Sequence, residues 1–278
     1  MSKKVLKLNI YLYIISLYGI KNNMILNKNN REYFQNWYLK LSKDDKRLGT
    51  KRTKQDVEFI KKVLKLPKNS RILDLCCGHG RHSILLAKQY SITGLDINKE
   101  ALGIFKKNIK NKKFKINLIE SDMREIPFKE KFDAVLNMYT SFGYFEKDKD
   151  NLKVLKSINK SLKLNGKLIL DLRNKRPYHK KVLPKYWMKL KNNYILMEND
   201  YNDKKNQEEV KLIIIDNKGR ILKTNFFVKS YTVSEIKKLL NKAGFSIIKK
   251  YGSTENTDIY TKKSERLIIL AEKKRRIN

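Results

Sequence analysis

Arg71-Ile72-Leu73-Asp74-Leu75-Cys76-Cys77-Gly78-His79-Gly80-Arg81-His82 is the stretch whose reading decides the fold. It opens as an apolar run around the β-branched Ile72 and breaks at two glycines one residue apart. From Ser83 it continues as Ile84-Leu85-Leu86-Ala87-Lys88, good helix formers with apolar side chains. The pattern predicts a strand, a tight glycine loop and a helix. Gly78 and Gly80 let the backbone turn sharply and approach a ligand with no Cβ in the way. The free N–H groups of the first helical turn, from about Arg81, then face any anionic group held above them.

A strand, glycine loop and helix open many nucleotide-binding α/β proteins. The next segment narrows the reading. Ser91-Ile92-Thr93-Gly94-Leu95-Asp96-Ile97 is a second apolar strand, ending in an acid 18 positions after Gly78. A carboxylate there can accept hydrogen bonds from both hydroxyls of a bound ribose. The dinucleotide pattern is not matched, because its third glycine falls at Ser83.

Downstream, a helix is expected near 99–109 and a strand over Ile116–Glu120, ending at Ser121-Asp122-Met123. A fourth strand is expected over Lys131–Met138, then a helix through 148–162 and, after Gly166, a fifth strand over Lys167–Leu172. Upstream, Arg31–Leu41 reads as an aromatic amphipathic helix. A second helix carries Val57, Phe59, Ile60, Val63 and Leu64, with Thr53 as its cap and Pro67 after its end. Strands alternating with helices predict a mostly parallel sheet with helices on both faces. The rhythm then changes: 186–200, 208–216 and 220–229 are three strand-like stretches, with a hairpin turn at Asp216-Asn217-Lys218-Gly219. They predict a small antiparallel sheet inserted after the fifth strand. A helix over Tyr231–Ala243, capped by Thr232 or Ser234 and stopped by Gly244, leads to strands Phe245–Tyr251 and Arg266–Glu272. The expected organisation is an N-terminal extension (1–24), N-terminal helices (25–66), a Rossmann-like core (67–184), an inserted lid (185–230) and a C-terminal completion of the core (231–278).

The 278 residues carry 64 Lys+Arg against 28 Asp+Glu, a net charge of +36. That balance is compatible with a nucleic-acid or anionic-membrane partner. The lysines are spread over nearly every segment instead of forming one tract, which favours compositional drift. The two cysteines are neighbours, a poor geometry for a disulfide, so nothing points to an oxidising compartment. Cys76, Cys77, His79 and His82 lack the separated pairs of a zinc site, and no metal is expected. Residues 8–20 are apolar after Lys3, Lys4 and Lys7, but too short for a confident bilayer span and without a cleavage site. They read as an extension or a peripheral helix, with Met24 as an alternative start. The expected compartment is the cytoplasm; monomer and dimer are both left open.

Ligands of open parallel sheets bind at the carboxyl ends of the strands. The candidates fall there: Asp74, Gly78 and Gly80 after the first strand, Asp96 after the second, Asp122 and Met123 after the third, Asn137 after the fourth. Asn137-Met138-Tyr139-Thr140-Ser141-Phe142-Gly143-Tyr144-Phe145 is aromatic, neutral and hydroxyl-bearing, suited either to wall a pocket or to pack the following helix. His82 is open between a core imidazole and a pocket residue, and Arg81 between an anion contact and a surface cover.

Together, Asp74-Leu75-Cys76-Cys77-Gly78-His79-Gly80, Thr93-Gly94-Leu95-Asp96, Ser121-Asp122-Met123 and Gly166-Lys167-Leu168 resemble a class I S-adenosylmethionine-dependent methyltransferase over roughly residues 50–272. Cys-Gly-His-Gly-Arg-His with Thr-Ser-Phe-Gly-Tyr-Phe resembles a bacterial small-molecule branch with an antiparallel insertion after strand five. The resemblance implies S-adenosylmethionine as cofactor and a small-molecule acceptor methylated on N or O. It places Asp74, Cys76, Gly78 and Gly80 around the methionine moiety. Asp96 with Ile97 falls at the ribose, Asp122 and Met123 at the adenine, and Asn137 at the methionine end. It adds Tyr38 and Arg52 from the N-terminal helices, and Tyr139 and His82 as residues to orient or deprotonate the acceptor. Trp187, Tyr194, Tyr201 and Phe226 are either acceptor-lining or the insertion's own core. Amino-methylating nucleic-acid enzymes end the fourth strand in Asn/Asp-Pro-Pro-Tyr/Phe. Asn137-Met138-Tyr139-Thr140 departs from that, leaving an RNA methyltransferase, or a non-enzymatic cofactor-binding protein, as the alternative.

Overall fold

The computed structural model describes residues 49–174, 184–190, 192–202, 204–255 and 257–277. Tyr38, the 31–41 helix and the 1–24 extension lie outside them. The parent layer runs α1 (Thr50–Leu64), β1 (Arg71–Leu75), α2 (Arg81–Leu86), β2 (Ser91–Asp96), α3 (Lys99–Ile109), β3 (Asn117–Glu120), β4 (Phe132–Asn137), α4 (Asp148–Ser161) and β5 (Leu162–Arg173). Then come β6 (Lys185–Leu190), β7 (Asn193–Asn202), β8 (Gln207–Ile215) and β9 (Ile221–Lys229). The chain closes with α5 (Val233–Lys242), β10 (Phe245–Tyr251) and β11 (Arg266–Lys273).

Seven strands form one sheet in the order β10-β11-β5-β4-β1-β2-β3, and the other four form a second sheet, β6-β7-β8-β9. β1 pairs parallel with both β2 and β4, and only β11 breaks the parallel run, lying antiparallel to β5 and β10. Successive residues of a strand point to opposite faces. Leu73 and Leu75 therefore pack with Val154, Leu155 and Ile158 of α4 and Ile236 and Leu240 of α5. Ile72, Ala134 and Leu136 pack instead with Val57, Ile60 and Leu64 of α1 and Phe105 of α3. Burial on both faces is why these strands read as near-continuous apolar runs.

Local chemistry sets the ends. Asn98 caps α3 by accepting from Ala101 N at 2.8 Å, and Thr232 with Glu235 forms a reciprocal capping box on α5. Gly244, at φ 79°, ends α5 as expected. The Asp216–Gly219 turn also forms, with Asp216 Oδ1 accepting from the backbone of Lys218 and Arg220.

Three expectations are corrected. Thr53 does not cap α1: the helix starts one turn earlier with Gly49 as N-cap, and the Thr53 hydroxyl donates to Gly49 O at 3.1 Å. β5 begins at Leu162 rather than after Gly166, because Leu162 already pairs with Phe132 across a register shift. The stretch 186–200 is two strands, with β6 folding back on β7 so that Leu190 lies opposite Asn193. Its continuous apolar and aromatic content hides the hairpin.

The inserted sheet has its own core of Ile195, Val210, Leu212, Ile214 and Phe226. Phe226 is therefore a core residue. Trp187 and Tyr194 are nearly half exposed and pair ring to ring at 6.1 Å near the sheet edge. Gly143 O accepts from Lys229 N, and Arg173 pairs with buried Glu208 at 2.7 Å, joining the insertion to the ends of β4 and β5. Among the described residues, no helix is long and apolar enough to cross a membrane.

Candidate cofactor and acceptor site

The strand order reverses between β1 and β4, since β1 leads to β2 on one side and β3 crosses over to β4 on the other. The crevice outside their carboxyl ends is the ligand position of such sheets. The glycine loop lies at that point. Cys76 N and Cys77 N both donate to Leu95 O, at 2.7 and 3.1 Å, which ties the loop to β2. The turn passes through left-handed conformations at Cys76 (φ 62°), Gly78 (φ 55°) and Gly80 (φ 83°). The two glycines serve different ends. A Cβ on Gly80 would lie 2.3 Å from the Phe105 ring, whereas one on Gly78 would meet nothing within 4 Å. Gly80 seats the loop on α3; Gly78 keeps the space above it open.

Asp96, at the end of β2 and 9% exposed, accepts from Gly78 N at 2.7 Å and from Asn98 N at 2.8 Å. Burial raises its carboxyl pKa, and the Asn98 and Gly78 amides oppose that rise. A carboxylate has about four lone-pair positions, so acceptor capacity is left on both oxygens. Asp74 is also buried and takes the Ser83 hydroxyl at 2.6 Å; burial pushes its carboxyl up as well, opposed by His82, Ser83 and Arg81.

Asn137, fully buried, donates from Nδ2 to Leu75 O at 3.4 Å, while its Oδ1 is buried without a partner. Such an orphan acceptor costs about 1–3 kcal/mol unless a ligand donor fills it. Cys76 Sγ lies 3.7 Å from Met123 Sδ and 4.0 Å from Asn137 Nδ2, so residues 76, 123 and 137 converge. Burial, with Asp96, Asp74 and Asp122 nearby, holds the Cys76 thiol well above its usual range, so the sulfur is a neutral wall. Ile97 is half-buried just beyond Asp96. Asp122 is engaged by Arg124, whose backbone N and guanidinium donate to it at 2.8 to 3.1 Å. Arg124 in turn lies 4.4 Å from the Phe145 ring centroid.

A second cluster stands beside the first. Asp56 of α1 is fully buried and receives Thr254 Oγ1 at 2.7 Å, Arg81 Nη1 at 3.2 Å and His82 Nε2 at 3.1 Å. Arg52 Nε is 3.3 Å away and also reaches Glu255. Burial alone would raise the Asp56 carboxyl, but His82, Thr254 and Arg81 outweigh it and hold it well below the usual carboxylate range. His82 is driven the other way from a paired histidine: burial lowers its pKa more than Asp56 raises it, so the ring is neutral at pH 7. Its Nε2 is thus spent on joining α2 to α1.

Tyr139 lies where β4 ends. Its backbone N donates to Asp171 Oδ2 at 2.7 Å, and its ring is flanked by the guanidinium carbons of Arg81 at 4.4 Å and Arg266 at 5.0 Å. The sequence gave no notice of Asp56, Asp171 or Arg266 as a group. A lone acid inside the apolar run Leu168–Leu172 was the one local signal.

Comparison with known proteins agrees with this arrangement. Residues 72–166 match the profile of a methyltransferase domain family. Bacillus subtilis YqeM, which carries a methyltransferase name, is 38% identical over 109 residues, 38% of this chain and 44% of that protein. A glycine/sarcosine N-methyltransferase of Aphanothece halophytica is 32% identical over 149 residues, 51% of this chain and 56% of the relative. The chain thus spans about half the length of these curated relatives. A crystal structure of an S-adenosylmethionine-dependent methyltransferase from Clostridium acetobutylicum superposes with a TM-score of 0.70 at 20% identity, covering 79% of this chain and 91% of that one.

Proposed function

We propose, from the premise that the chain carries a class I S-adenosylmethionine-dependent methyltransferase domain, that it transfers a methyl group to a nitrogen or oxygen of a small molecule. The carrying observation is the Asp96–Gly78 unit: a buried acid with acceptor capacity, bonded to a glycine whose outer face is open, at the switch point of the sheet. When bound, S-adenosylmethionine supplies an electrophilic methyl on a sulfonium and leaves as a neutral thioether.

The chain's own residues hold and orient. Asp96 takes the ribose hydroxyls, with Ile97 beside it. Gly78 and Gly80 let the backbone run under the methionine tail, whose ammonium has Asp74 and the orphan Asn137 Oδ1 as acceptors. Met123 and Cys76 offer soft apolar surface, and Asp122 keeps lone pairs for the adenine amine beyond those used by Arg124. Arg52, and Tyr38 ahead of the described residues, belong to the N-terminal side of this site by family resemblance. Because no proton is needed on the leaving sulfur, orientation and exclusion of water are the chief demands on the protein. An amine acceptor must arrive deprotonated, and a hydroxyl acceptor needs a base. Tyr139 stands on the acceptor side and is the residue we assign to orient it. His82, committed to Asp56, is assigned the positioning of α1 against the loop.

A small-molecule acceptor is favoured by the named activity of the Aphanothece relative. Residues 67–184 and 231–278 then form the cofactor-binding core, and 185–230 the wall over the acceptor. The two free neighbouring thiols, Cys76 and Cys77, suit a reducing cytoplasm. Calorimetric titration with S-adenosylhomocysteine and with NAD tests the reading: binding of the first alone supports it, and binding of NAD alone, or of neither, rejects it. Incorporation of labelled methyl into RNA, but into no small-molecule pool, would move the acceptor to nucleic acid.

A further inference from the structure

The segment after β4 is held in an unfavourable shape by a buried ion pair. Tyr139 and Thr140 are consecutive non-glycine residues at φ 61° and 58°. Each such residue costs about 1–3 kcal/mol and persists only where its surroundings over-determine it. Here Asp171, itself fully buried, accepts from Tyr139 N with its carboxylate and from Thr140 N with its carbonyl, at 2.7 and 3.0 Å. Arg266 fixes Asp171 in turn through Nε at 2.9 Å and through Nη2. The result is a Tyr139 ring clasped between two guanidiniums at the acceptor end of the crevice.

Those guanidiniums are short of anions. Arg81 spends Nη1 on Thr53 and Asp56, but its Nη2 is buried with no partner. Arg266 is lowered to about 10, by burial first and then, against the pull of Asp56 and Tyr139, by the cations Arg52 and Arg81. Three guanidiniums, Arg52, Arg81 and Arg266, therefore share two fully buried carboxylates, Asp56 and Asp171; Glu255, about half exposed, joins Arg52 only at the rim. A planar oxyanion is the group that completes such a site, since charge-assisted bonds from a guanidinium fork are the strong ones.

Resting on the methyltransferase reading, we propose that the acceptor carries a carboxylate or phosphate beside the atom that is methylated, and that Arg81 and Arg266, set by Tyr139 and Asp171, receive that oxyanion. The methyl-accepting nitrogen or oxygen then lies on the cofactor side of the Tyr139 ring. A neutral acceptor would leave Arg81 Nη2 unsatisfied, and the site would discriminate against it.

The test uses the full chain saturated with S-adenosylhomocysteine, so that the cofactor's own carboxylate is already in place. Matched probes are titrated calorimetrically: glycine against glycinamide, β-alanine against β-alaninamide, and phosphoethanolamine against ethanolamine. The oxyanion member of a pair is expected to bind about tenfold more tightly or better, and the pair that shows it separates carboxylate from phosphate. R81M is expected to erase the preference while keeping S-adenosylhomocysteine affinity within about threefold. R81K, which keeps the charge and the Asp56 contact but loses the fork, is expected to retain part of it. Equal binding within every pair, or no binding by any oxyanion, overturns the proposal. So does a loss of S-adenosylhomocysteine affinity in R81M, which would assign Arg81 to the cofactor. Failure of the unaltered protein to bind S-adenosylhomocysteine would reject the parent reading instead.

Discussion

Gly80 lies so close to Phe105 that a Cβ added to it would stand 2.3 Å from the ring, while Gly78, two residues earlier, faces open space. The two glycines should therefore fail in different ways. G80A combines left-handed strain with overpacking and is expected to cost about 2–4 kcal/mol of stability. G78A carries only the strain, about 1–2 kcal/mol, but puts a methyl group into the cofactor space. Urea denaturation should show the larger loss in G80A, and titration should show S-adenosylhomocysteine binding abolished in G78A while the protein remains folded. Normal binding by folded G78A would contradict the assignment of that space.

Asp171 holds Tyr139 and Thr140 in place and neutralises Arg266. D171A strands a buried guanidinium and is expected to lose about 3–5 kcal/mol. T140G should do the opposite. Threonine is β-branched and poorly suited to φ 58°, so glycine there is expected to be neutral or to add about 1 kcal/mol. A T140G protein clearly less stable than the unaltered chain would mean that the strain is not where the backbone places it.

Cys76 occupies a left-handed position where glycine is the usual solution, with its sulfur against Met123. C76G exchanges relief of strain for a lost contact and a freer unfolded chain, and stability is expected to change by less than about 1 kcal/mol. C76V places a branched side chain at the same φ and is expected to lose about 1–3 kcal/mol and to weaken cofactor binding. Urea denaturation and calorimetric titration of the two variants separate these outcomes.

The Asp56–His82 pair gives the fold a pH dependence whose sign is fixed. Burial keeps native His82 neutral, and the unfolded chain takes up that proton as pH falls below about 6.5. His79 is lowered by burial too and acts in the same direction. Stability from these groups is complete above that pH and declines below it, until the native imidazoles titrate. Asp56, held below the usual carboxylate range, adds stability that is present above about pH 4 and is lost in stronger acid. Thermal melts should therefore fall between pH 7 and 5 and again below pH 4, and H82Q should reduce the first decline while leaving the second. A pH-independent melt between 7 and 5 would contradict the neutral, buried His82.

Much of this was legible in the chain itself, because the signals are local. Lys99–Ile109 has its cap at Asn98, the box Thr232–Glu235 has its spacing of three, and Asp96 ends an apolar strand at the right remove from Gly78. What was not legible depends on tertiary closure. Asp56 meets Thr254, a residue 198 positions away, and Asp171 meets Arg266 across 95. No periodicity or turn residue encodes such a meeting. The same holds for Tyr139, whose left-handed backbone is imposed by Asp171 and not by its own preference. The β6–β7 hairpin escaped for a simpler reason: Asn192-Asn193 is a weak turn signal inside a strongly apolar run.

The most direct measurement is the affinity of D96N for S-adenosylhomocysteine relative to the unaltered protein, with folding checked by its thermal melt. The amide keeps the size of the side chain and one acceptor oxygen for the Gly78 or Asn98 amide, but it removes the charge and a lone-pair set that the ribose hydroxyls need. Two charge-assisted hydrogen bonds lost predict a weakening of about 100-fold in a protein that still folds. Affinity equal to that of the unaltered chain would contradict the account.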